Sequence, residues 1–499
     1  MRQRAIVALA LLFGGALATH AAAPTDRTIP GYHGEATRSG NYVMPGLTWQ
    51  TAPSMHRDTG FDGRVDGHVY TQPLYWRPLG AAHGLIIVAT ESDEVAGLAA
   101  DTGRTVWHTM LGAPVSRADM PCGDINPVGI TGTPVIDPAA GSVFLDAMVL
   151  RAGTPQHLVF GLRLSDGAVL PGWPVYVQQA LRQRGIAFAP RAQNQRAALA
   201  LLDGRVFIAF SGNFGDCGDY HGIVLGIATT PPQPVAAWST RALKGGIWAP
   251  GGISSDGGTL FFSTGNTDGA AEWGDGESAF RIGPDLRHST NPRDFFAPSD
   301  WKQLDDDDLD LGGTNPLPID LPSASGTARL LVVLGKDGNA YLLNRDNLGG
   351  IGGQLAMRRA AGTRIITGPA FYPWQGRVLI AYQAQRAACP NGGGGAGLAA
   401  LAVTAAGRDG LAPAWCAALD GRGAPAVTTT DGAADPIVWV AGAEGDDRLH
   451  AFRGDTGAQL WTSPDVLTGL RHFVTILAAE DRLYIAGDGR VYAFTTAAR

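Results

Sequence analysis

The sequence predicts an all-β chain: a single eight-bladed antiparallel β-propeller, closed by its N- and C-terminal strands. Three observations predict it. A phrase made of a β-rich run, a small polar turn and a tryptophan recurs at roughly 45–65 residues, which suits four short strands and their loops. The runs alternate with the period of strands and are punctuated by 69 Gly and 32 Pro, which disfavours a helical repeat. The last copy, "DRLYIAGDGRVYAFTTA", lacks its tryptophan, and a stray copy stands near the N-terminus.

In chain order, residues 1–23 read as a signal peptide. Arg2 and Arg4 precede the apolar run 5–18, which is too short to span a bilayer, and small residues follow, with cleavage near Ala21 to Ala23. Residues 24–45 form an N-terminal lead-in segment, and 46–499 form the propeller. "GLTWQTA", with Trp49, supplies the missing strand, so residues near 46–52 are expected to pair with residues near 484–496. That pairing removes the open sheet edge.

The closing phrase ends at Trp107, Trp173, Trp238, Trp415 and Trp461, with degenerate copies in "SAFRIGPDLR" and "GNAYLLNRDNLGG". These tryptophans are expected to pack between blades. A second phrase opens each unit with small residues, as in "GTPVID", "QRAALAL", "WAPGGIS" and "GPAFYP". Small residues suit inner strands crowded around an axis. Between the two phrases run alternating strands such as "GLIIVAT", "TLFFSTG" and "RLLVVLG".

Charged residues make up 17% of the 499, below the usual share of about 25%, and the net charge is -7. No basic face for nucleic acid is expected. No CxxCH is present, so no covalent haem is expected, and no Cys/His cluster has zinc spacing. No later run predicts a transmembrane segment after signal cleavage, which points to a periplasmic or secreted location. Four cysteines fit that compartment. Three pairings are possible. Cys389 and Cys416 flank the Gly-rich "PNGGGGAGL" and are expected to staple one hairpin, which leaves Cys122 with Cys217.

The phrases "DTGRTVW" and "GDTGAQLW" resemble the repeats of the pyrroloquinoline quinone (PQQ) propeller superfamily. That superfamily includes quinoprotein alcohol dehydrogenases and non-catalytic propellers, among them outer-membrane assembly scaffolds. The stretch 244–347 carries "GGIWAPGG", "FFSTGNTD", "DDLDLGGTN" and "LGKDGNAYLLNRDN" in the order seen in the dehydrogenases. The resemblance implies that Trp248 lies flat against the quinone, that Asn266 ligates calcium, that Asp310 is the catalytic base and that Lys336 is the cation near the reactive carbonyls. It also implies an acidic calcium ligand in "SGNFGDCGDYHG", for which Asp216 is the candidate.

Those residue types suit the chemistry. An indole buries the face of a planar quinone. Calcium takes oxygen ligands and acts as a Lewis acid. A carboxylate removes the alcohol proton. A lysine stabilises charge on the reduced oxygen. The chain departs from the family's pattern in three places. Cys122-Gly123 replaces a vicinal cysteine pair, Tyr70 stands where a carboxylate is expected, and the arginine after the cysteine motif is absent.

The implied function is an exported dehydrogenase oxidising an alcohol or sugar with PQQ and calcium. The alternative is a non-catalytic exported propeller that uses the same face for binding. Within "DDDDLDLGGTN", Asp310 is expected to point inward, and Asp305 to Asp308 are expected to form a solvated outer lip, since four adjacent charges cannot all be buried.

Overall fold

The computed structural model describes residues 28–323, 326–392 and 395–497. The expected signal segment therefore lies outside the described residues. The described chain forms eight antiparallel sheets in sequence order, the blades of a propeller. Blade 1 consists of Leu74–Trp76, Leu85–Ala89, Glu94–Ala99 and Thr105–Met110 from axis to rim. Blade 2 begins at Val135–Asp137, blade 3 at Ala200–Leu202, blade 4 at Ser254–Ser255 and blade 5 at Leu317–Ser323. Blades 6, 7 and 8 begin at Ala370–Trp374, Ala426–Thr429 and Ile476–Ala479. Middle strands such as Leu260–Thr264 and Ile437–Ala441 are buried throughout, because each is covered by a blade on either side.

The repeat tryptophans do pack between blades. The Trp107 indole N–H donates to the Leu164 carbonyl of blade 2 at 2.9 Å, and that of Trp415 to the Gly454 carbonyl of blade 7 at 2.6 Å. Trp238 packs edge-on against Phe262 of blade 4, with ring centroids 5.0 Å apart. Gly97 gives the Trp107 ring its seat: a Cβ there would lie 2.5 Å from the indole. Gly161 seats the Trp173 ring in the same way, a Cβ there falling 2.9 Å from the indole.

The N-terminal pairing differs from expectation. Residues 46–52 do not pair with the last strand. Trp49 lies instead against blade 7, its indole N–H donating to the Pro436 carbonyl at 2.9 Å and its ring under the Arg453 guanidinium. The outer strand of blade 8 is His56–Arg57, antiparallel to Arg490–Thr495, with His56 opposite Thr495. Main-chain bonds from Val65 to Gly489 and from Val491 to Gly63 continue the contact.

The lead-in segment threads the inner strands. Ile29 bridges Tyr75 of blade 1, the Ile136 N–H of blade 2 donates to Pro30, and that of Phe371 in blade 6 donates to Ser39. Asn41–Val43 then pairs in parallel with Ala426–Thr429 of blade 7. Arg38 is buried, and its guanidinium donates to the carbonyls of Leu199, Ile253 and Tyr32. Three carbonyls replace the water that a buried cation would otherwise lose. The segment therefore ties blades across the axis.

Both disulfides are present. Cys389–Cys416 lies within blade 6, and Cys122–Cys217 joins the loop between blades 1 and 2 to a loop of blade 3. Among the described residues no helix is long and apolar enough to cross a membrane.

Candidate functional site

Two kinds of loop meet on one face of the ring: those leading into inner strands and those joining second to third strands. Trp248 and Asp310 stand on the first kind, ahead of blades 4 and 5. Asp216, Asn266 and Lys336 stand on the second kind, in blades 3, 4 and 5. The face holds a cavity of about 510 Å³ whose walls include Asp216, Trp248, Asp308, Asp310 and Lys336.

Asp310 is the hub. It is 4% exposed. The Trp248 indole N–H donates to its Oδ2 at 3.0 Å, and the Asn266 main-chain N–H to its Oδ1 at 2.8 Å. Lys336 Nζ stands 2.5 Å from Oδ2, and its main-chain N–H donates to the Asp310 carbonyl at 2.9 Å. The same ammonium is 2.8 Å from Asp308 Oδ1 and 5.1 Å from the centre of the Trp248 ring. Four residues far apart in sequence are thus joined directly.

Gly265 makes this possible. A Cβ there would lie 2.8 Å from Asp310 Oδ1 and 3.3 Å from Trp248 Nε1. Gly312 is equally constrained, because its own Cβ would fall 2.6 Å from the Thr264 carbonyl carbon. The T-G-N and L-G-G turns press together, and only glycines allow that approach.

Electrostatics follow from burial. Burial alone would depress the Lys336 ammonium, but Asp310 and Asp308 outweigh it and hold it above its ordinary value. Behind Asp310 lies Glu277, fully buried. Its Oε2 accepts the Leu311 N–H at 2.6 Å, and its Oε1 has no partner. Burial, then the charge of Asp310, pushes the Glu277 carboxyl well above its usual range.

Asp216 and Asn266 are not joined in one donor set. Asp216 accepts the Tyr220 hydroxyl, and its main-chain carbonyl accepts the Lys244 ammonium. Burial raises the Asp216 carboxyl despite that hydroxyl. The Asn266 amide nitrogen donates to Asp308 Oδ1 at 3.0 Å. Tyr70 lies near the cavity edge, edge-on to His472 at 5.7 Å.

The acidic run divides, which corrects the expected lip. Asp305 is 4% exposed and accepts the Thr267 N–H, the Thr267 hydroxyl and the Gly269 N–H. Asp308, at φ 52°, turns to Lys336. Asp306 and Asp307 stay outside, paired with Lys302 and Gln303. The reason is helical: in the short helix Trp301–Asp306 successive side chains point about 100° apart, so Asp305 and Asp306 face differently, and the chain leaves the helix and turns left-handed at Asp308.

Sequence reasoning did not identify Arg196, Arg364, Arg422, Phe214 and His472, which also line the cavity. A signal existed. Like Trp248 and Asp310, the three arginines stand four to seven residues upstream of an inner strand, each in a different repeat.

No protein-family model matches the chain, and no curated protein matches it. Solved structures do. The quinohemoprotein alcohol dehydrogenase of Comamonas testosteroni superposes with a TM-score of 0.65 at 14% identity, covering 95% of this chain and 81% of that one. A quinohemoprotein alcohol dehydrogenase of Pseudomonas putida HK5 gives 0.66 at 13%, with the same coverage. A europium-containing methanol dehydrogenase gives 0.61 at 14%, covering 93% and 90%. The chain shares the propeller fold of these alcohol and methanol dehydrogenases.

Proposed function

We propose that the chain is an exported PQQ-dependent dehydrogenase that oxidises a hydroxyl of an alcohol or sugar. The observation that carries this reading is the convergence of Trp248, Lys336 and Asp310 on one cavity. PQQ is a flat tricarboxylate, and the residues present fit it. The partly exposed Trp248 offers an aromatic face, and Arg196 and Lys336 offer cations. A cavity of about 510 Å³ lies within the usual range for a small-molecule site.

When bound, PQQ supplies the two-electron acceptor for the carbinol C–H. The remaining work belongs to side chains. Asp310 takes the hydroxyl proton, held in one orientation by the Trp248 and Asn266 N–H groups. Lys336 supplies a fixed positive charge beside the reacting atoms, already desolvated and pre-oriented. Glu277, buried behind Asp310, accepts the Leu311 N–H at 2.6 Å and so fixes the main chain next to the base.

Calcium fits less well. Among the described residues no three His, Cys, Asp or Glu side chains form a metal-binding group. The Lys336 ammonium already bridges Asp308 and Asp310, and Asn266 and Asp216 have separate partners. The two disulfides support an oxidising, exported location.

The test is reconstitution. Purified protein incubated with PQQ, with and without chelator, should reduce an artificial electron acceptor at the expense of primary alcohols or sugars. No turnover with any such substrate, PQQ being bound, would leave a binding propeller as the surviving reading.

A further inference from the structure

Beside the main cavity lies a second cleft of about 450 Å³, lined by Thr363, Arg364, Gln383, Gln385, Arg386 and Arg422. Arg364, Ile366 and Arg422 form the wall that the two cavities share. We propose that this cleft is an anion subsite that takes a sugar-sized polyol bearing one carboxylate or phosphate. It rests on the dehydrogenase reading only for the fate of the ligand, since binding here is a separate property.

Charge is the first argument. Three arginines face one cleft. Two of them are in long ion pairs with acids at the surface: Asp308 is 3.9 Å from Arg364, and Glu444 is 3.8 Å from Arg422. Among the described residues Arg386 pairs with no carboxylate, and its guanidinium donates to the Gly362 carbonyl at 2.7 Å. One edge of a planar fork so held remains free for an oxyanion. Three guanidiniums against two acids leave the cleft with an excess positive charge, centred on Arg386, which raises the local concentration of anions.

The backbone is the second argument. The long strand Arg377–Ala387 loses register between Gln383 and Ala387, a bulge. Within it Arg386 adopts φ 53°, a left-handed conformation that costs a non-glycine residue energy. The bulge brings Gln385 and Arg386 together at the cleft, which an uninterrupted strand, with its alternating faces, would not do. The distortion is held from both sides. The Gly362 N–H donates to the Arg386 carbonyl at 2.9 Å, and Cys389–Cys416 pins the chain just beyond. The exposed Gln385 amide is a neutral group of the kind that reads sugar hydroxyls. The Gln383 amide donates to the Gly421 carbonyl at 2.9 Å and the Thr363 hydroxyl to the Gln385 carbonyl, each keeping acceptor capacity.

Calorimetric titration of the protein without PQQ tests this with D-glucuronate, D-glucose 6-phosphate and D-glucose. The two anions should bind at least about tenfold more tightly than glucose, and their order identifies the preferred acid group. Arg386→Gln should weaken the anions at least about tenfold, and Arg386→Lys less. Gln385→Glu, on an exposed side chain, should weaken them without the risk of misfolding. Glucose binding as tightly as glucuronate would overturn the proposal. So would unchanged anion affinity in folded Arg386→Gln or in Gln385→Glu. Failure of PQQ to bind would remove the dehydrogenase reading and leave this result standing.

Discussion

Asp310 receives two N–H donors and one ammonium, yet it lines the cavity. Replacing it with Asn keeps the shape and removes the base. Asp310→Asn should therefore lower turnover by about 10²-fold or more while PQQ still binds, as steady-state assays beside a binding titration would reveal. A second residue-scale prediction concerns Asp93, which is fully buried with neither oxygen partnered. Burial, then the charges of Glu91 and Asp146, raises its carboxyl from 3.8 to about 8. A raised carboxyl contributes stability that is complete below the unfolded value and is lost as pH rises through the folded one. The loss therefore accumulates between about pH 4 and pH 8. Asp93→Asn should match the wild type in unfolding free energy near pH 4 and exceed it at pH 8, by an amount on the order of a few kcal/mol in denaturant unfolding. A constant difference across that range would count against it. At this scale the motifs located residues that the fold brings into direct contact, Trp248, Asn266, Asp310 and Lys336. Arg196, Arg364 and Arg422 carry only a weaker signal, their place a few residues ahead of an inner strand, because a lone arginine in a loop has no motif of its own and its role depends on the ring that gathers it.

At the scale of elements, the loops that build the site are short and are fixed by covalent or main-chain ties. Cys122–Cys217 anchors the loop that carries Phe214 and Asp216. Breaking it with Cys122→Ser and Cys217→Ser together should cost about 2–4 kcal/mol in denaturant unfolding and should weaken PQQ binding. Unchanged values for both would show the loop to be self-supporting. The strands followed from the alternating patterns, and the tryptophan phrase located the outer ones. The N-terminal strand was misplaced because "GLTWQTA" carries the expected tryptophan, whereas the strand that pairs, His56–Arg57, is two residues long. So short a strand has no periodicity to read. The acidic run was misread for a related reason: whether a helix or a loop carries it decides which aspartates face inward.

For the whole molecule, eight similar sheets must be held in one ring, and the N-terminal segment does this twice. It closes blade 8 through His56–Arg57, and it ties the inner strands through Arg38 and Asn41–Val43. Removing residues 28–57 should abolish the cooperative melt of the whole ring, as scanning calorimetry would register. A truncated protein melting like the full chain would contradict this. The repeat period made the fold class legible, because every unit votes for the same architecture. The lead-in segment was not legible, since its contacts reach most blades and belong to no repeat. The central claim is that the ring positions Trp248, Lys336 and Asp310 to receive PQQ, and one titration tests it most directly. PQQ added to the wild type and to Trp248→Ala, followed by its absorption band, should bind the wild type saturably at one site and the variant at least about tenfold more weakly. No saturable binding to the wild type would contradict the account.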